Sequence, residues 1–385
     1  MPWKMRELLA LILVHCNPAK PEELWTLFKD ALSEDFAKKH CIEIAYRKAY
    51  IDVAKRVLEA GKSLADFPTM EQIDDLDIDT EEQFNIEEEL DIGRNNYFLL
   101  NNEQKNVVDS IINRVQNPDM NIAFYFISGS GGSGKTFVIK TIFHLLRGLK
   151  KKVSTMAFTG IAATLLPGGR TMHNRFGLNL DISNSKVGPN SIAWKQVKET
   201  DLFIFDEAPM IHKRALTTID LKLQEIMSNN IDFGGKVIKL AGDFRQTLPI
   251  QKHVNRSELC DLTVKRSRYW KSIINLKLGK NMRALDTEKE FANDLLDIGS
   301  GKLNINENEI VFPSHCISKG DIVEETFGYA IANSTKDVFS HGQLYVALSR
   351  VRTWKALSIK LSETNIERKV MNVVYKEILD EMINN

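Results

Sequence analysis

Four cysteines are few for 385 residues, and their placement is uninformative in a useful way. Cys16, Cys41, Cys260 and Cys316 form no C-x-x-C pair and show no zinc-finger histidine spacing, so a zinc module is a poor reading. The same scarcity argues against a disulfide framework and for a reduced, intracellular setting. No apolar run approaches the ~20 residues that a bilayer-spanning helix needs. Internal repeats and low-complexity tracts are missing too. Net charge is also absent, with 51 Lys and Arg against 51 Asp and Glu.

The zero hides an asymmetry. Residues 1–92 carry 11 basic against 21 acidic side chains, and the remainder carries 40 against 30. A basic body behind an acidic front suits a polyanion-binding module, although a chance distribution gives the same tally. Lys and Arg are entirely missing from 71–92, which holds eleven acidic residues. Such a composition buries little surface, and 71–95 is expected to be an acidic linker.

The front segment, 1–70, reads as helical. Leu8 to Val14 is a short apolar run behind Lys4 and Arg6, but Glu7 interrupts the basic stretch and no small-x-small site follows, so a buried helix is expected in place of a secretory leader. Leu24, Trp25, Phe28, Leu32 and Phe36 recur at helical spacing behind Pro21, and Ala45, Ala49, Val53 and Val57 form a second such face. From Leu100 the pattern becomes alternating strands and helices. Ile122–Ile127, Val153–Phe158, Leu202–Phe205 and Val237–Leu240 are short β-branched and aromatic runs, as in a doubly wound parallel α/β sheet.

Chemistry-bearing residues follow these strands. Gly129, Ser130, Gly131, Gly132, Ser133, Gly134, Lys135 and Thr136 fit the phosphate-loop pattern G-x-x-x-x-G-K-[ST] between a strand and a helix. The glycines let successive N–H groups face phosphates, Lys135 reaches the β- and γ-phosphates of ATP, and the Thr136 hydroxyl helps hold Mg²⁺. Asp206 and Glu207 end an apolar strand, where Asp206 can hold Mg²⁺ and Glu207 can polarise the attacking water. Gln246, after Gly242-Asp-Phe-Arg, can sense the γ-phosphate. Each has a plainer alternative: a flexible glycine loop, a solvated acidic turn and an ordinary Gly-Asp turn.

Taken in order, these elements give the chain a family likeness. It resembles the superfamily-one DNA helicases of the petite-integration-frequency type, and within them the helicases encoded by Helitron transposons. The likeness extends through Leu100-Asn-Asn-Glu-Gln104, Thr159-Gly-Ile-Ala-Ala163, Gly168-Gly-Arg-Thr-x-His173, Asp206-Glu-Ala-Pro-Met210, Gly242-Asp-Phe-Arg-Gln-Thr-Leu-Pro249, Lys280-Asn-Met-Arg283 and Val338-Phe-Ser-His-Gly-Gln-Leu-Tyr-Val-Ala-Leu-Ser-Arg350. It implies a RecA-like P-loop ATPase lobe at 96–255 and a second lobe at 256–385. It also implies that Gln104 reads the adenine edge, that Arg283 and Arg350 act from the second lobe as arginine fingers, and that Thr159, Gly160 and His173 border a single-strand track.

The implied activity is ATP-dependent, 5′-to-3′ unwinding of DNA, with single-stranded and forked DNA as partners and no membrane. Recombination, repair and telomere maintenance in a nuclear or otherwise intracellular setting come with the resemblance. One departure stands out: between Gly328 and Val338 only nine residues replace the long stretch that builds most of the family's second lobe. A truncated second RecA-like lobe is therefore expected. The alternative is a nucleotide-dependent DNA-binding module, or transposon relic, unable to unwind. A small-molecule P-loop kinase would leave Gln246 and Arg350 unexplained.

Overall fold

Strands whose every side chain is apolar need cover on both faces, and this sequence supplies it from helices on either side. In the computed structural model six parallel strands form one sheet in the order β3-β2-β4-β5-β1-β6. They are β1 (Phe124–Gly129), β2 (Val153–Ala157), β3 (Arg170–Thr171), β4 (Leu202–Asp206), β5 (Val237–Gly242) and β6 (Ile274–Leu278). All residues are described except 39–40, 60–61, 73–84, 118–123, 180, 190, 252, 285–286, 318–329, 334–339, 362–367 and 381–385. The chain divides into two compact units, Met1–Phe84 and Asn85–Asn385.

Side chains alternate between two cores across the sheet. Phe124, Phe126, Phe203, Phe205, Ile238 and Leu240 face one core, together with Ile219 and Leu223 of helix α10 (Lys213–Met227). Tyr125, Ile127, Leu202, Ile204, Val237 and Ala241 face the other. That second core is closed by α5 (Asn102–Gln116) and α6 (Lys135–Gly148), through Val107, Val108, Ile111, Val138, Ile139 and Ile142. The four expected strands are present, with ends shifted by a residue or two. Residues 122–123, the start of the first, lie outside the described residues.

Three expectations are corrected here. Of the acidic linker expected at 71–95, residues 73–84 lie outside the described residues, but Ile86–Phe98 is a helix, α4. Asn85 caps it by accepting the Glu87 N–H, and Glu87, Glu88 and Glu89 in its first turn suit the positive end of the helix dipole. The first lobe does not end at 255. Arg256–Ser272 supplies Cys260, Val264 and Tyr269 to the first core, and β6 then pairs with β1 as the outermost strand. Its Ile-Asn-Leu-Lys-Leu alternates polar and apolar, as an outer strand should, and lacks the apolar run of the central strands. Third, Arg283 follows directly on β6 and so is delivered by the first sheet.

The second lobe has a small core of its own, including Phe291, Leu295, Ile310, Phe312, Tyr345, Leu348 and Ile359. Its described elements are α12 (Lys289–Gly299), β7 (Glu309–Val311), β8 (Ala330–Asn333), α13 (Gln343–Leu348), β9 (Leu357–Lys360) and β10 (Lys369–Met371), while the last helix, α14 (Lys376–Asp380), returns Ile378 to the first core. β7 pairs with β10 antiparallel and β8 with β9 parallel. The nine-residue interval expected to mark the truncation lies, apart from β8, outside the described residues.

The front unit is helical as expected, with α1 (Pro2–Leu11), α2 (Pro21–Ala37) and α3 (Ile42–Glu59) around Leu9, Leu13, Leu32, Val53 and Val57. Arg6, only 3% exposed, is held by both Asp35 oxygens, by Asp52 and by the Leu32 carbonyl. No helix among the described residues is long and apolar enough to cross a membrane.

Candidate nucleotide site

Gly129 ends β1, and the loop that follows turns back into α6. Gly132 and Gly134 have φ of +87° and +83°, where a side chain would be strained. Space is short as well: a Cβ on Gly132 would stand 2.8 Å from Asn281 Oδ1 and from the Arg283 Cβ. The segment after β6 grips the loop directly. Met282 N–H donates to the Gly132 carbonyl at 2.8 Å, and Asn281 Nδ2 donates to the Gly131 carbonyl at 3.3 Å.

The loop surrounds a cavity of about 380 Å³. Gly131, Gly132, Gly134, Lys135 and Thr136 line one side, Asp206, Glu207 and Gln246 a second, and Arg283, Ser349, Arg350 and Arg352 a third. The acids end β4 and Gln246 follows β5, which lies between β4 and β1, so three strand tips and the second lobe meet at one place. Sites of open α/β sheets sit at such carboxyl ends.

Charge in the cavity is unbalanced in an informative way. The Lys135 ammonium folds onto the Gly129 and Ser130 carbonyls at 2.6 and 3.1 Å. Arg283 donates to the Ser349 carbonyl. Burial, with Arg350 and Arg352 close by, pushes the Arg283 pKa down. Among the described residues none of these three arginines has a carboxylate partner. Opposite them, burial pushes the Asp206 carboxyl above its usual range, against the pull of Lys135 and Lys239. Burial and the Asp206 charge do the same to Glu207. Glu207 sits at φ +53°, with its N–H on Asp206 Oδ1 at 3.0 Å. A left-handed non-glycine residue beside such groups is strain of the kind found at working sites.

The residues present fit Mg²⁺. Asp206, a buried carboxylate to which no side-chain cation is bonded among the described residues, and the Thr136 hydroxyl line the same cavity. Mg²⁺ needs only one or two such protein ligands when phosphates and water supply the rest. Ser130 and Ser133 carry buried hydroxyls with no hydrogen-bond partner among the described residues.

Gln104, expected to read the adenine edge, makes two hydrogen bonds within the protein. Its Oε1 accepts the Asn101 N–H in a capping box, and its Nε2 donates to the Ser133 carbonyl at 3.1 Å. The amide thus braces the phosphate loop from behind, at 3% exposure, and does not line the cavity. Thr159, Gly160 and His173 stand apart from the nucleotide cavity, near the carboxyl ends of β2 and β3. Thr159 caps the short helix Gly160–Thr164, and half-buried His173 packs edge-on to Phe158 at 6.0 Å, its pKa lowered by burial. Arg352, Met282 and Ser349 were missed. For Arg352 a signal existed, two residues beyond Arg350 in the same motif.

A phosphate loop, acids at the next strand tip but one, and arginines reaching over from a second lobe define a RecA-like P-loop NTPase. Residues 99–309 match the family described as PIF1-like helicase, and the chain belongs to that family. Among curated relatives, the ATP-dependent DNA helicase Pif1 of Psychrobacter sp. (strain PRwf-1) is 35% identical over 130 residues, 32% of this chain and 20% of that protein. The Pif1 of Bdellovibrio bacteriovorus is 28% identical over 193 residues, 48% of this chain and 42% of its own length. This chain therefore spans a minor part of either relative. The crystal structure of Candida albicans Pif1 superposes with a TM-score of 0.55 at 17% identity, covering 74% of this chain and 99% of that one. Bacteroides Pif1 bound to single-stranded DNA gives 0.51 at 19%, covering 74% and 96%. At those identities the likeness is one of fold.

Proposed function

We propose that this chain is the ATP-driven motor of a DNA helicase of 5′-to-3′ type. The observation that carries the reading is the convergence, on one cavity, of Lys135 and three arginines without carboxylate partners among the described residues, facing buried Asp206 and half-buried Glu207. In water-poor surroundings such cations strongly favour a triphosphate.

The loop N–H groups and Lys135 bind the β- and γ-phosphates. Thr136 and Asp206 would hold Mg²⁺, which when bound would offset the charge that develops on the phosphates. Glu207 orients the attacking water and accepts its proton. Gln246 registers the γ-phosphate, while Arg283 and Arg350 stabilise charge on the transferring phosphoryl group. Closing the second lobe on ATP and releasing it after hydrolysis would ratchet a single strand past Thr159, Gly160 and His173. The family resemblance supports single-stranded and forked DNA as partners, a nuclear or other intracellular setting, and roles in recombination, repair and telomere maintenance. The Helitron origin rests on the same resemblance.

A second reading is a nucleotide-dependent DNA-binding module that no longer unwinds, favoured by the small size of the second lobe's described sheets. Steady-state ATPase with and without single-stranded DNA tests the motor, and displacement of a strand from a forked duplex separates the two readings. DNA-stimulated hydrolysis with displacement supports the helicase, stimulation without displacement supports the module, and no hydrolysis in either condition removes the motor assignment.

A further inference from the structure

One buried side chain touches both halves of the nucleotide site without lining its cavity. Tyr345, in α13 of the second lobe, is 1% exposed. Its hydroxyl accepts the Gly131 N–H at 2.8 Å and donates to Asp243 Oδ2 at 2.8 Å. Gly131 is the third residue of the phosphate loop. Asp243 follows β5 and stands three residues before Gln246. One hydroxyl thus joins the loop that holds phosphate to the segment that registers it.

The ring is closely packed where it lies. A Cβ at Gly299 of α12 would come within 2.8 Å of Tyr345 Cδ2 and within 2.9 Å of the Arg245 Cδ. Glycine there is what lets the ring reach the strand tip. Asp243 is fixed too, accepting from the Arg245 N–H at 3.1 Å and from Arg245 Nη1 at 3.2 Å. Burial beside Asp243 drives the phenol pKa far upward, so the group remains an O–H able to donate and accept at once.

The same helix leads into Arg350 and Arg352 of the cavity. The Ser349 N–H donates to the Tyr345 carbonyl at 2.9 Å, and Arg350 follows. A Cβ on Gly131 would stand 2.9 Å from the Ser349 Cβ, so loop and helix end are in close packing. His341 and Gly342 seat the start of α13 on the same segment. His341 Nε2 donates to the Phe244 carbonyl at 2.8 Å, and a Cβ on Gly342 would collide with the Arg245 carbonyl.

We infer that Tyr345 is a positioning residue that ties Gly131 of the phosphate loop to Asp243, so that the loop, Gln246 and Arg350 shift together as the nucleotide changes. This rests on the reading of the cavity as an ATP site and names how that site is coupled to the second lobe. The link is needed for turnover more than for nucleotide affinity, because Lys135 and the other loop donors remain when it is cut.

Tyr345→Phe keeps the ring and removes one oxygen. In the nucleotide-free protein, hydrogen exchange of peptides spanning 129–136 should speed up about fivefold, the equivalent of one hydrogen bond. Exchange in the front unit should stay as it was. ATPase kcat should fall about tenfold while KM changes less than twofold, and Asp243→Ala added to Tyr345→Phe should cost little more, because one linkage is already cut. Unchanged loop exchange with unchanged kcat overturns the inference. So does a variant that loosens everywhere and loses kcat and KM together, since that marks Tyr345 as packing alone. If the wild-type protein hydrolyses no ATP with or without DNA, the motor assignment fails, and the exchange measurement still decides whether Tyr345 holds the loop.

Discussion

Gly93 of α4 lies flat against Leu145 of α6, so close that a Cβ at this glycine would stand 2.8 Å from the Leu145 backbone nitrogen. The contact is reciprocated one turn away, where a Cβ on Gly148 would meet the Leu90 Cβ at 2.8 Å. Two helices can approach this closely only where side chains are missing. Gly93→Val should therefore push α4 off α6 and cost about 2 kcal/mol, as overpacking does. Denaturant melts measure the loss, and rapid proteolysis near 85–99 should accompany it. Unchanged stability would mean that α4 is not docked as described.

Lys135 and Glu207 sit on the same cavity but should fail differently. Lys135→Ala removes charge-assisted hydrogen bonds to phosphate of about 3 kcal/mol, so affinity for a fluorescent ATP analogue should drop about a hundredfold. Glu207→Gln should bind that analogue as the parent does and lose about a hundredfold or more in kcat. Normal turnover by Glu207→Gln would remove Glu207 from the mechanism.

Arg350 and Arg352 should also separate. The field of Arg350 reaches both Glu207 and Arg283, whereas that of Arg352 reaches Arg283. Arg350→Ala should lower kcat about a thousandfold, as loss of an arginine finger does. Arg352→Ala should act mainly on KM. A kcat effect of equal size from both would show that neither residue is specialised.

His341 links stability to acidity. Its Nδ1 accepts the Tyr375 N–H at 2.8 Å, so the proton must sit on Nε2 to reach the Phe244 carbonyl. A second proton has nowhere to go, and burial lowers the pKa to about 4 from 6.5, with Arg256 adding to the shift and Asp243 and Glu377 opposing it. The folded state therefore binds fewer protons than the unfolded one below pH 6.5. Its stabilising contribution is complete above pH 6.5 and is lost as pH falls toward 4, a difference of up to about 3 kcal/mol. Denaturant midpoints measured from pH 7 to 4.5 should fall more steeply in the parent than in His341→Gln.

The phosphate loop, the acids at 206 and 207 and Gln246 were legible because each is a local pattern at the end of an apolar strand. The sheet followed from those same apolar runs. What escaped was non-local or disguised. The acidity of α4 reads as a solvated tether, yet Glu89 pairs with His144 and Arg147 of α6, and the two glycines let the helices close together. The alternation in β6 looks like loop until its partner β1 is known. The hydrogen bonds of the Gln104 amide to Asn101 and Ser133 bring together segments that no local pattern connects. Tyr345 is 214 residues from Gly131, and no spacing rule joins them.

The placement of β6 has a practical corollary. β1 is hydrogen-bonded on both sides, by β5 and by β6. A fragment trimmed at 255, where motif reading alone would end the ATPase lobe, would strip one flank of the strand that carries the nucleotide loop. Its unpaired amides and carbonyls would then invite a neighbouring molecule to add a strand, and the product would tend to clump. Any shortened version intended for expression should run past Leu278, and past Arg283 if the loop is to keep its grip from Asn281 and Met282.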